Sequence, residues 1–319
     1  MSKKKEKSVL NKIIIVSICV VLSIYVISMI LPIFWGLYNS LKSPMDFFMG
    51  NVLGFPNLDP NGFGNSREEF FELKNFQVFI ENFDQVLQTA KTRFYTMGGQ
   101  LVYHEATGGI PGIFVNTIIY IFLGSLFTTI VPAITAYAVA KFDFKFSHIA
   151  YTVLLMAMII PVVGNQSTMI NVLQATNLFD TWYGFIFWNS GAGGMYFFVL
   201  YGFYKGLPDS YAEAAEIDGA SYWNILTTVI LPLSIKQLST IWLIHIVEFW
   251  NDYQTPLLYL PSHPTLAFSV WYLAVGSNRL GDLPTKAAGT MTLAVPILIL
   301  FIFLKNKLMG SVSVGGLKE

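Results

Sequence analysis

The sequence predicts an all-α membrane protein with six transmembrane helices and a long extracellular insertion after the first. Three observations carry that prediction. Hydrophobic residues make up 54% of the 319 residues and charged residues only 12%, against about 25% charge in ordinary soluble domains. Six apolar runs approach the ~20 residues that a helix needs to cross a hydrocarbon core of ~30 Å. Lysines in both tails and in one short loop alternate with those runs as the positive-inside rule requires. Formal net charge is zero, so no basic excess points to nucleic acid as a partner. The single cysteine, Cys19, excludes an intramolecular disulfide and a cysteine metal cluster. Inside an apolar run it reads as a small apolar residue.

Residues 1–12 form a cytoplasmic tail that carries Lys3, Lys4, Lys5, Lys7 and Lys12. The apolar run 13–36 is too long for a signal peptide and no small-residue cleavage site follows it, so it reads as an uncleaved first span. Residues 37–112 form the extracellular segment. It starts turn-rich, "GNVLGFPNLDPNGFGNS", and becomes periodic in "REEFFELKNFQVFIENFDQVLQTAKTRF". There Phe76, Phe79, Ile80, Phe83, Val86 and Leu87 recur at helical spacing, which predicts one or two amphipathic helices on the outer face. The core, 113–304, holds spans at 113–139, 149–172, 183–204, 233–257 and 287–304. Lys141 and Lys145 place the loop after the second span inside. Lys305, Lys307 and Lys318 do the same for the tail 305–319. The loop 205–232 is then cytoplasmic, and so are both termini. The apolar stretch Thr265–Val275 is too short to cross and reads as interfacial, re-entrant or buried.

The loop 205–232 contains "EAAEIDGASYWNILTTVILPL", which places acids and small residues between two apolar runs. Ser210 followed by Glu213 has capping-box spacing, and Asp209 and Glu213 suit the positive N-terminal end of a helix. Ala212, Ala214, Ala215 and Ala220 leave a slim surface that another protein can approach. Gly219 can take positive φ and end the helix. Pro232 marks the entry to the next span. The prediction is a short helix tied at both ends to membrane spans, so that a force on it moves both.

Polar side chains inside membrane spans are costly and mark pathways by default. In "IIPVVGNQST", Pro161 and Gly164 predict a break near mid-membrane, followed by Asn165 and Gln166. In "EFWNDYQ", Glu248, Trp250, Asn251 and Asp252 combine hydroxyl partners with an aromatic face. These six residues are candidates for a solute path or gate; the alternative for Asn165 and Gln166 is interhelical hydrogen bonding, and for Glu248 and Asp252 a solvated or paired charge toward the outer end of the span. His245 reads as a hydrogen-bonded packing residue, because no second histidine lies at metal-ligand spacing.

"EAAEIDG", then nine residues, then "VILP" resembles the EAA loop of ABC importer permeases, which runs Glu-Ala-Ala, three residues, Gly, nine residues, Ile-x-Leu-Pro. Glu213, Ala214, Ala215, Gly219, Leu231 and Pro232 match, and Val229 replaces the usual isoleucine. "IDGAS", "ILPLS", "VNTIIY", "AYAVAKFDF", "EFWNDYQTPLLYL" and the tail "GSVSVGGLKE" are similar to the carbohydrate type represented by MalG. The likeness covers roughly residues 112–319 and is weaker over 37–112, where this chain is longer than the family pattern.

The resemblance implies a type I ABC importer permease fold in the bacterial cytoplasmic membrane. It implies a transport subunit with no catalytic residue. Glu213, Ala214, Ala215, Glu216, Asp218, Gly219 and Pro232 would then form the coupling contact to a cytoplasmic ATPase. It implies no cofactor on this chain, with ATP and Mg on the ATPase. The absence of a Gly-x-x-x-x-Gly-Lys-Ser/Thr loop fits that division. The implied partners are a second homologous permease, two copies of the ATPase, an extracellular solute-binding protein and the lipid bilayer. The alternatives are an importer permease of the same type for a non-sugar solute, a membrane-embedded glycosyl or lipid transferase, and an ATP-independent channel or carrier.

Overall fold

A computed structural model describes residues 2–42, 47, 53–54, 94–95, 101–102, 109–142, 144, 146–160, 164–276 and 283–312. In chain order the elements are α1 (Ser2–Ser40), a two-residue antiparallel pair β1 (Phe94–Tyr95) and β2 (Leu101–Val102), α2 (Gly109–Lys141) and α3 (Ser147–Ile159). There follow α4 (Gln166–Ala175), α5 (Trp182–Asn189), α6 (Met195–Gly206), α7 (Ser210–Ile217) and α8 (Tyr222–Asn224), a π-helical stretch Ile225–Ile230, α9 (Leu231–Asn251), α10 (Gln254–Tyr259), α11 (Leu266–Gly276) and α12 (Leu283–Val312). Two compact units are distinguished: Met1–Thr89 with Tyr272–Val295, and Ala90–Trp271 with Pro296–Glu319. All candidate site residues lie in the second. The periodic stretch 67–94 lies almost wholly outside the described residues, as does most of the predicted segment 37–112.

Among the described residues, four helices are long and apolar enough to cross a membrane: Lys12–Ser40, Gly112–Lys141, Tyr222–Asn251 and Leu283–Phe303. Each overlaps a predicted span. Residues 2–12 of the predicted tail continue the first as helix rather than standing apart. The predicted spans 149–172 and 183–204 are not single helices. Each is divided in two, α3 with α4 and α5 with α6. In the first, Gly164 sits in the break at φ +78°, a backbone that continues no right-handed helix. In the second, residues 190–194 form the break. Backbone groups freed at membrane depth need partners from neighbouring helices, and α2 supplies them. Thr128 donates to Asn189 O at 3.4 Å, and Thr135 Oγ1 lies 3.0 Å from Ala192 O.

The fifth predicted span, 233–257, is also redrawn. Its helix begins at Tyr222, inside the predicted loop, and ends at Asn251. Pro232 does not start it but lies within it. Proline has no N–H to give to the carbonyl four residues back. The π-helical stretch just before it shifts the ladder by one residue, with Leu231 N–H donating to Leu226 O. The helix passes through the proline where a break was expected.

Around α2 the packing is tight. Ala133, Ala136 and Ala140 leave its inner side slim, so Phe197, Leu200 and Tyr204 of α6 and Ile241 of α9 pack closely with them in one buried cluster. Ile118, Phe122, Ile130 and Ile134 on the same helix are exposed. Small side chains inward and large apolar ones outward is the pattern of a helix whose other solvent is lipid.

Candidate functional site

Helix α7 is built by its two ends. Asp209 occupies its N-cap position, and Asp209 O accepts from Ala212 N and Glu213 N at 2.9 and 3.0 Å. The expected capping box between Ser210 and Glu213 is not formed. Ser210 is already the first helical residue, and the Asp209 side chain makes no cap bond. That carboxylate instead accepts from Lys141 Nζ at 2.6 Å. The lysine beside it holds Asp209 below the usual carboxylate range. At the other end Gly219 has φ +80°. Ala220 N donates to Ala215 O at 2.9 Å and Gly219 N to Glu216 O at 3.0 Å. These two bonds close a Schellman motif, which satisfies the last carbonyls and needs a left-handed residue where the glycine stands.

The helix has two unlike faces. Ala212 and Ala215 are half-buried and pack on the α2–α6–α9 cluster. Glu213, Ala214, Glu216 and Asp218 are exposed, and Ile217 is 86% exposed. The two alanines expected to act alike are therefore separated. Ala215 seats the helix and Ala214 lies on the open face.

At the far end of α9 the acid does a different job. Asp252 Oδ1 accepts from Gln254 N at 3.0 Å and Thr255 N at 3.1 Å, and so caps α10. Asp252 Oδ2 accepts from Tyr120 Oη at 2.6 Å. Tyr120 is fully buried, stacked on Phe185 with centroids 4.5 Å apart and edge-on to Phe249 at 5.5 Å. Asn251 is exposed, and its amide donates back to Val247 O at 2.9 Å. Trp250 is half-buried. Glu248 is exposed, with Glu248 Oε2 3.9 Å from His245 Nε2. His245 is buried, edge-on to Tyr196 at 4.7 Å, with Nδ1 2.8 Å from Thr129 Oγ1. Thr129 donates its one hydroxyl hydrogen to Ser125 O at 2.7 Å, which leaves His245 Nδ1–H as the donor to it. Trp242 Nε1 extends the seam, donating to Ser125 Oγ at 2.9 Å.

Asn165 precedes α4 and Gln166 opens it, and both are exposed. Asn165 O accepts from Met169 N at 2.9 Å. No hydrogen bond or ion pair among the described residues joins either side chain to Glu248, Asn251 or Asp252. Of the six candidates, Asn165, Gln166, Glu248 and Asn251 are exposed and Trp250 and Asp252 half-buried, with Asp252 drawn into the architecture.

Three features lay beyond sequence reasoning. Lys141 and Asp209 are remote in the chain, and nothing in their spacing pairs them. Tyr120 looked like one apolar residue among many. Asp180, at φ +59°, accepts from Ser262 N at 3.0 Å and lies 3.4 Å from His263 Nδ1. Desolvation pushes the Asp180 carboxyl up, but the adjacent His263 ring and the hydrogen bond from Ser262 N outweigh it, and the group rests below its ordinary value.

Comparison with known proteins gives consistent likenesses. The family model for binding-protein-dependent transport system inner membrane components matches residues 129–306. A probable starch degradation products transport system permease protein, AmyC of Thermoanaerobacterium thermosulfurigenes, is 30% identical over 77% of this chain and 89% of its own length. The melibiose/raffinose/stachyose import permease protein MelC of Bacillus subtilis is 28% identical over 64% of this chain and 75% of its own. Among solved structures, a chain of a bacterial ABC transporter involved in import of the acidic polysaccharide alginate superposes with a TM-score of 0.68. It is 17% identical and covers 93% of this chain and 96% of that one, a likeness of fold.

Proposed function

The chain belongs to the binding-protein-dependent transport system inner membrane component family, and we propose that it is the permease subunit of an ATP-driven importer of a sugar or oligosaccharide. The carbohydrate class follows from relatives named for starch degradation products and for melibiose, raffinose and stachyose. In this reading α3 with α4, and α5 with α6, each make one interrupted crossing. With the four long helices they complete six. Both termini and α7 face the cytoplasm, and residues 37–112 lie outside, in keeping with the lysines of the tails and of the loop after α2.

The observation that carries the coupling role is the open face of α7. Glu213, Ala214, Glu216 and Ile217 are exposed on a helix closed at one end by Gly219 and fastened at the other through Asp209. Exposed acids beside an exposed isoleucine suit a cleft on a partner protein better than open water. Glu213, Ala214, Glu216, Asp218 and Gly219 would contact a cytoplasmic ATPase, which binds ATP and Mg. Ala215 would seat the helix, and Pro232 would continue its motion into α9. A second homologous permease would complete the pathway, with two ATPase copies below it and a solute-binding protein above. ATP binding shifts the equilibrium between inward-open and outward-open states only through contacts that differ between them, and α7 offers such contacts. Glu248, Trp250 and Asn251 on α9, with Asn165 and Gln166 at the α3–α4 break, would face the path. Asp252 would hold its outer corner.

The test is the complete transporter in proteoliposomes, with ATP hydrolysis measured as maltotriose or raffinose and the binding protein are added. Glu213→Ala combined with Gly219→Asp should abolish the stimulation while the complex still assembles. Stimulation at the wild-type level in that variant would refute the coupling role.

A further inference from the structure

α7 is joined by the chain to α6 on one side and to the α8–α9 helix on the other. A third helix also holds it. The last residues of α2 reach both sides of its base. Lys141 Nζ donates to Leu207 O, the C-cap of α6, and at 2.6 Å to Asp209 Oδ1, the N-cap residue of α7. One turn earlier Tyr137 packs edge-on against Tyr204 at the end of α6, centroids 5.5 Å apart. One residue later Phe142 lies edge-on against Tyr222, the first residue of α8, at 5.7 Å. The side chains on either side of α7 are thus gripped from one helix end that is remote from both in sequence.

The lysine is not a loose surface cation. Its side chain is 12% exposed, whereas that of Asp209 is 76% exposed. Its ammonium takes a helix-end carbonyl that has no intrahelical donor. Its charge lies in the last turn of α2 and that of Asp209 at the first turn of α7, each where the helix dipole favours it. An isolated exposed ion pair carries little energy. One whose cation is packed and also bonds backbone fixes a position as well. α2 in turn packs along α6 and α9.

We propose that Lys141 is a positioning residue that clamps the base of α7 to α2, so that displacement of α7 by its partner moves α2 together with α6 and α9. The proposal rests on the coupling role given to α7 above. Without the clamp the partner still hydrolyses ATP, but its stroke bends the α6–α7 corner at Leu207–Asp209 and is partly lost before it reaches the membrane helices.

The experiment uses the complete transporter in proteoliposomes, with MgATP hydrolysis and uptake of radiolabelled maltotriose and raffinose measured on the same preparation. Lys141→Ala should lower uptake per ATP hydrolysed by on the order of tenfold, with unstimulated hydrolysis changed less than about twofold. Lys141→Arg should restore most of the ratio. Asp209→Asn, at a side chain that is 76% exposed, should lower it several-fold and carries the test if Lys141→Ala fails to assemble. The exchange Lys141→Asp with Asp209→Lys should recover part of what Lys141→Asp loses. A wild-type ratio in both Lys141→Ala and Asp209→Asn overturns the clamp. So does an arginine variant as poor as the alanine one. If those variants are normal while Glu213→Ala with Gly219→Asp uncouples, only the clamp fails. If all are normal, the coupling reading fails with it.

Discussion

The two ends of the Tyr222–Asn251 helix use their acids in opposite ways. Before its start, Glu213, Glu216 and Asp218 stand exposed on α7, and the one acid that is bonded, Asp209, is itself mostly exposed. After its end, Asp252 is half-buried and accepts three bonds, two from backbone and one from a buried tyrosine. Asp180 sits in a similar setting, tied to Ser262 N and beside His263. The helix between them spans roughly 45 Å at ~1.5 Å per residue. The acids before the helix are left exposed, and past its end Asp252 and Asp180 are bonded internally, although Glu248 in its last turn is exposed. An exposed charge keeps its hydration and adds little to stability, whereas a half-buried one must be bonded or it destabilises the fold. The same residue type is therefore an open charge in one setting and a fastening in the other.

The sharpest way to break this comparison is Asp252→Ala. It removes the cap of α10 and the carboxylate that accepts from the Tyr120 hydroxyl, and should cost about 2–4 kcal/mol, read as a lower melting temperature of the purified complex. An unchanged melting temperature would show that the α9–α10 corner is held by something else. Next is the split within α7. Ala215→Leu should destabilise the complex by about 1–3 kcal/mol through overpacking, whereas Ala214→Leu should leave the melting temperature within error and reduce stimulated ATP hydrolysis. Equal effects at both positions would erase the two-faced helix. Gly219 comes third. A Cβ there meets nothing within 4 Å, so the cost is backbone alone. Gly219→Val should cost about 1–2 kcal/mol, while Gly219→Asn should be near neutral in stability, both read from the melting temperature.

The smallest effect is the pH dependence of the contact between Asp180 and the Ser262–His263 segment. Asp180 is held below its ordinary value in the folded protein, so its contribution is present above the unfolded value near ~4 and fades as pH falls through the folded one. Stability measured downward from neutral pH should therefore drop less in Asp180→Asn, by about 1 kcal/mol. Parallel curves for the two proteins would remove Asp180 from the list of fastenings.

Reading the sequence went furthest where one physical requirement dominates. α1, α2, the α8–α9 helix and α12 were legible because crossing lipid demands length and apolarity, and both are local in sequence. Gly219 was legible because a left-handed helix end strongly prefers glycine. The break at Gly164 was legible for the same reason. The division of the fourth predicted span was not, since the hydroxyls of Thr128 and Thr135 that meet its loose carbonyls sit on α2. Nor was the passage of the helix through Pro232, where a shifted ladder carries the helix past the missing donor.

Hydrophobic transfer and backbone geometry act residue by residue, so the lipid solvent, the placing of the long helices and the Gly219 end of α7 are written locally in the chain. Which acids are open and which are bound depends on packing between distant helices. That packing replaced the expected Ser210–Glu213 capping box with an Asp209 carboxylate bound to Lys141 and made Asp252 the anchor of Tyr120. It also placed Ala214 and Ala215 on different faces. A charge takes its role from its burial and its partner, and both are supplied by helices distant in the chain.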